Sequence, residues 1–64
     1  MDFIYLLFGS SEWEDTTIFL SEVDAVNASI KYSSLRVEIF RKNIDSSYTP
    51  TYNFYKNGQF IQRS

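Results

Sequence analysis

The chain contains no cysteine and no histidine. Without cysteine it has no disulfide, no thiol nucleophile and no thiolate metal ligand; without histidine it lacks the usual near-neutral proton shuttle and the commonest zinc ligand. Most catalytic mechanisms go with these two residues, and the expectation is a protein that is not an enzyme and carries no cofactor and no metal. Glycine is nearly as scarce. Gly9 and Gly58 are the only two, too few for the glycine-rich loops that cradle nucleotide phosphates. Seven serines in and around Ser10-Ser11, Ser21, Ser33-Ser34 and Ser46-Ser47 have no histidine to activate them, and they read as caps and turns. No long apolar run exists either: Phe3 to Phe8 is six residues, far below the ~20 of a spanning helix, and has no basic flank of the signal-peptide kind. The expectation is an intracellular, cytoplasmic protein. Asn27-Ala28-Ser29 matches a glycosylation sequon, but it falls in a predicted helix and is set aside.

Aromatic residues are abundant by contrast. Six Phe, five Tyr and one Trp stand in 64 residues, enough to fill a small core and leave rings at the surface. A chain this short makes one thin core, so residues 1–64 are read as a single domain. The net charge of −2 hides a division. Residues 1–30 hold six acidic residues and no Lys or Arg, whereas residues 31–64 hold six basic residues against Glu38 and Asp45. Such asymmetry either orients docking to a charged partner or a second copy, or is satisfied by pairing within the fold.

Phe3 to Phe8 has strand length and is apolar on both sides, as in the middle of a sheet. Thr16 to Leu20, β-branched and aromatic, reads as a second strand. Ser21-Glu22-Val23-Asp24 opens a helix, with Ser21 placed to cap it and acids at the positive end of its dipole. Val23, Val26 and Ile30 share one helical face with Ala25 and Ala28 at its margins, and the helix is predicted to stop around Tyr32-Ser33-Ser34. Leu35 to Ile39 alternates strictly, placing Leu35, Val37 and Ile39 toward the core. Asn57-Gly58 supplies the positive φ angles of a type I′ turn between Thr51–Tyr55 and Phe60–Gln62, and Pro50, with no amide hydrogen, suits the start of that hairpin.

The order is β-β-α-β-β-β. The fold class is α+β: one antiparallel-rich sheet with a single helix on one face and a local strand order 2-1-3. A β-grasp-like arrangement, with the first and last strands paired at the centre, is the competing topology.

One helix covers one face of such a sheet, so the other face is left with Arg36, Glu38 and Phe40 beside apolar groups of the first strand, a patch of the kind that marks a contact surface. The expected partner-binding residues are Trp13, Glu12, Glu14, Arg36, Phe40 and Tyr52. Glu12 and Glu14 belong to a solvated acidic loop, and Trp13 inside it is either a lid folded onto the sheet or an exposed anchor. The partner is expected to be a protein, either another component or a second copy in a homo-oligomer, with no membrane role. The alternative is a single-stranded nucleic-acid binder, since basic residues interleave with Phe40, Tyr52, Phe54 and Tyr55; the negative net charge opposes it.

Thr49 to Ile61, with Pro50 and the Asn57-Gly58 turn, resembles the hairpin that follows the cis-proline of thioredoxins. The redox cysteine pair is absent, so that function does not carry over. Through Ile4-Tyr5-Leu6-Leu7, Ser11-Glu12-Trp13-Glu14-Asp15, Arg36-Val37-Glu38-Ile39-Phe40 and Tyr48-Thr49-Pro50-Thr51-Tyr52 the chain is similar to small uncharacterised open reading frames of large DNA viruses and phages. This resemblance implies a viral accessory or virion-associated protein whose partners are virion components or host factors, and it brings no catalytic residues.

Overall fold

A computed structural model describes residues 2–9 and 15–63. The apolar run forms β1 (Phe3–Phe8), and the β-branched stretch after Asp15 forms β2 (Thr16–Phe19). The helix α1 spans Glu22–Lys31, followed by β3 (Arg36–Lys42), β4 (Tyr48–Lys56) and β5 (Gln59–Ile61). These elements make an α+β domain with one sheet of order β2-β1-β3-β4-β5, antiparallel at every pairing. Because β2 and β3 both run antiparallel to β1, they are parallel to each other, and α1 carries the chain across β1. β1 does not pair with β5, which removes the β-grasp alternative.

The core lies between α1 and one sheet face. Tyr5 and Leu7 of β1, Val37 and Ile39 of β3 and Tyr55 of β4 are buried there against Ala25 and Ala28, with Phe19, Val26 and Leu35 packed at its edge. The alternation in β3 thus orients the strand as its sequence predicts. The helix differs from expectation. Its buried residues are Ala25, Ala28 and Ser29, while Val23 and Ile30 are exposed. Size explains the rotation: Tyr5, Tyr55 and Phe19 rise from the sheet and fill the space, so the helix turns its smallest side chains toward them.

Ser29, fully buried, donates its hydroxyl to the Val26 carbonyl (2.7 Å) and accepts the Gly58 amide (2.9 Å), which ties α1 to the β4–β5 turn. Asn57 and Gly58 have φ of 51° and 80°, as a type I′ turn requires. Ser21 precedes the helix as expected, but its side chain makes no capping bond; its carbonyl accepts the Ala25 amide (3.0 Å) instead.

β4 departs from regular pairing. Glu38 faces Phe54 and Phe40 faces Pro50, so Ile39 alone stands opposite Thr51, Tyr52 and Asn53. This bulge puts Tyr52 at φ 67°, and the Thr51 hydroxyl replaces a ladder bond by donating to the Ile39 carbonyl (2.9 Å). Pro50 lies inside β4 rather than at its start, and among the described residues no peptide bond is cis, so the likeness to the thioredoxin hairpin stops at the turn.

Candidate functional site

The sheet face opposite α1 is built by strand parity. Tyr5, Leu7, Val37 and Ile39 point to the helix, so Ile4, Leu6 and Phe8 of β1 and Arg36, Glu38 and Phe40 of β3 point the other way. The registers then carry apolar groups across this face. Ile18, Leu6, Glu38, Phe54 and Ile61 form one row, and Ile4, Phe40 and Pro50 another. Phe8 and Ile18 are exposed, while Ile4, Leu6, Phe40 and Ile61 are half-buried.

Three of the six expected partner-binding residues meet on this face. Arg36, Phe40 and Tyr52, with Phe8, Pro50 and Lys56, line an open depression of about 680 Å³. Tyr52 is 65% exposed, because the bulge lifts its backbone out of the regular pleat. Arg36 Nε lies 2.7 Å from Glu38 Oε2, and its guanidinium stacks 4.9 Å from the centroid of Phe54. The guanidinium thereby shields Phe54, which is buried although it belongs to the open face. The pair is half exposed on the Arg36 side, so its net contribution to stability is at most about 1 kcal/mol, and its main effect is to hold the cation at the rim of the apolar rows. Glu12, Trp13 and Glu14 lie outside the described residues. Phe8 and Pro50 were not expected on this surface, whereas Lys56 is one of the basic residues of the nucleic-acid alternative; Phe8 follows from the alternation of β1, and Pro50 joins the surface only through its register with Phe40.

A second cluster sits on the helix side. The Tyr55 hydroxyl donates to Glu22 Oε2 (2.5 Å) within a pocket of about 170 Å³ that Tyr5, Ile39 and Phe60 also line. Desolvation first, and then the Glu22 bond and charge, push the Tyr55 hydroxyl well above the ordinary tyrosine value, and desolvation followed by the Glu22 charge raises that of Tyr5. Both phenols keep their protons at neutral pH, and the Tyr55 proton is committed to the Glu22 carboxylate.

Among the described residues no three Asp or Glu side chains converge, and no helix is long and apolar enough to cross a membrane. No protein-family model, curated protein or solved structure matches the chain.

Proposed function

We propose that the chain is a non-enzymatic protein-interaction module that binds its partner through the open face of the sheet. The observation that supports this reading is the convergence of Arg36, Phe40 and Tyr52 around one depression. An exposed tyrosine, a half-buried phenylalanine and an arginine held by its neighbours are the residue types that dominate binding energy at protein interfaces. Apolar rows extend from the depression toward both sheet edges and supply area around these anchors. The proposed partner class, virion components or host factors, rests on the sequence resemblance to viral and phage reading frames alone.

Nucleic acid is the second reading, because Arg36 and Lys56 flank the rings of Phe8, Phe40 and Tyr52 in the same depression. One experiment separates the two: affinity capture from cells expressing the chain, with the wild type and Phe40→Asp in parallel, and titration of both with single-stranded RNA. Recovery of a defined protein by the wild type, and at least about tenfold less by a folded Phe40→Asp variant, supports the protein reading. Submicromolar RNA affinity at physiological salt, lost in the same variant, would replace it with the nucleic-acid one.

A further inference from the structure

The sheet carries its charges unevenly. β1, β2 and β5 have none, and β3 and β4 together hold Arg36, Arg41, Lys42 and Lys56 against a single acid, Glu38. Strand parity and the Arg36–Lys56 register place Arg36, Lys42 and Lys56 with Glu38 on the open face, and Arg41 on the other. Three cations and one carboxylate therefore stand on this face of a chain whose net charge is −2.

The one carboxylate is already engaged. Glu38 Oε2 lies 2.7 Å from Arg36 Nε, and this is the one ion pair among the described residues. A guanidinium has five N–H donors, so the terminal amino groups of Arg36, on a side chain that is half exposed, keep theirs. Lys56, also exposed, stands directly opposite Arg36 in the β3–β4 ladder, and among the described residues no carboxylate lies within ion-pair distance of it. Like charges facing each other across a ladder are destabilising. The fold thus holds an unrelieved pair of cations at the rim of the depression lined by Phe8, Phe40, Pro50 and Tyr52, and an anion bound there relieves it.

We propose that this depression takes a segment of a partner protein in which a carboxylate adjoins an aromatic or large aliphatic side chain. The apolar group lies against Phe8, Phe40 and Pro50, and the carboxylate lies between the Arg36 amino groups and the Lys56 ammonium. The proposal rests on the open face being the contact surface and adds the chemistry of what binds there. A volume of about 680 Å³ falls within the ~300–1,000 Å³ of sites that seat small ligands, so two or three residues fit. The excess of positive charge also favours the approach of an acidic segment over a basic one. A second copy seated face to face is the poorer occupant, because it sets the same three cations against their own kind.

The probe is a blocked tetrapeptide of alternating Glu and Phe, titrated into isotope-labelled protein while the amide resonances of Phe8, Arg36, Phe40, Tyr52 and Lys56 are followed. These five are expected to shift and to saturate together at millimolar peptide. The same peptide with Gln for Glu is expected to bind about three- to tenfold more weakly, and with Lys for Glu more weakly still. Lys56→Gln is expected to narrow the difference between the Glu and Gln peptides about two- to fivefold. Because it removes the charge opposite Arg36, it is also expected to unfold at a urea midpoint no lower than that of the wild type. A midpoint lower by about 1 M or more would show the ammonium already committed within the fold, and would overturn the proposal, as would unmoved resonances at the five amides. Equal binding of the three peptides at these amides would overturn the acidic preference and leave the open face standing as the contact surface; shifts confined to the helix, at Val23 and Asn27, would contradict both. Single-stranded RNA that moves the same amides at lower concentration than the Glu peptide, at physiological salt, would assign the cations to phosphate instead. The same shifts on raising protein concentration alone would assign them to a second copy, and either result overturns the proposal.

Discussion

Replacing Gly58 tests the one point where turn, helix and strand are locked together. Its φ of 80° lies where L-residues are strained, at about 1–2 kcal/mol. A Cβ built there also meets Ile30 Cγ1 at 2.9 Å and Cδ1 at 3.0 Å. Ile30 is 53% exposed, so its side chain has room to turn away, at a further cost of about 0.5–1.5 kcal/mol if it leaves its rotamer. Restricting the unfolded chain returns about 0.4–1 kcal/mol. Gly58→Ala is therefore expected to lose about 1–2 kcal/mol, and Gly58→Val more, since β-branching resists this conformation further. With a denaturant slope of about 1 kcal/mol/M for so short a chain, the urea midpoint of Gly58→Ala falls by about 1–2 M. Ile30→Ala in the Gly58→Ala background recovers the steric part, leaving the backbone part. A midpoint for Gly58→Val equal to that of the wild type would refute the type I′ geometry and the packing of Ile30 over it.

Four other outcomes are expected. Ser29→Ala strands the Gly58 amide and lowers stability by about 1–3 kcal/mol in urea unfolding, without changing the sheet's amide pattern. Stability falls as pH rises beyond the ordinary tyrosine value of about 10, because the folded protein keeps protons on Tyr55 and Tyr5 that the unfolded chain releases; Tyr55→Phe flattens that fall in thermal unfolding followed from pH 9 to 11. In acid the β3–β4 turn loosens: the Ser47 hydroxyl, and with it the Ser47 amide (3.0 Å), donates to the Asp45 carboxylate, and these bonds hold the Asp45 carboxyl below its usual range. That contribution, complete above the ordinary aspartate pKa, is lost as pH falls through the lowered value, and amide exchange at Ser47 reports it. Adding EDTA leaves the melting temperature unchanged; a drop restored by one particular cation would show a metal dependence.

What the sequence made legible was local. Asn57-Gly58 specifies its own turn, and the alternation of Arg36-Val37-Glu38-Ile39-Phe40 carries its own two faces, so the hairpin and the placement of Arg36 and Phe40 on the open face could be read directly. The helix face could not. Val23, Val26 and Ile30 are the larger apolar residues, but the surface α1 buries is decided by the rings below it, and those come from β1, β2 and β4. The β4 bulge was likewise out of reach, since nothing in Thr51-Tyr52-Asn53 reveals that three residues will face Ile39 alone. That bulge is what raises Tyr52 and aligns Pro50 with Phe40, so part of the candidate surface depends on long-range pairing.

The central claim, that the open face is the contact surface, is tested most directly by photo-crosslinking in cells from position 52 and, as a control, from position 23. Tyr52 and Val23 are equally exposed, at 65% and 66%, but Tyr52 lines the open-face depression and Val23 stands on the helix that covers the opposite face. A photoreactive residue at 52 is expected to give a protein adduct of discrete mass that disappears when Phe40→Asp is added, and one at 23 is expected to give none. Adducts from 23 and 52 in equal yield, or none from 52, would contradict the account.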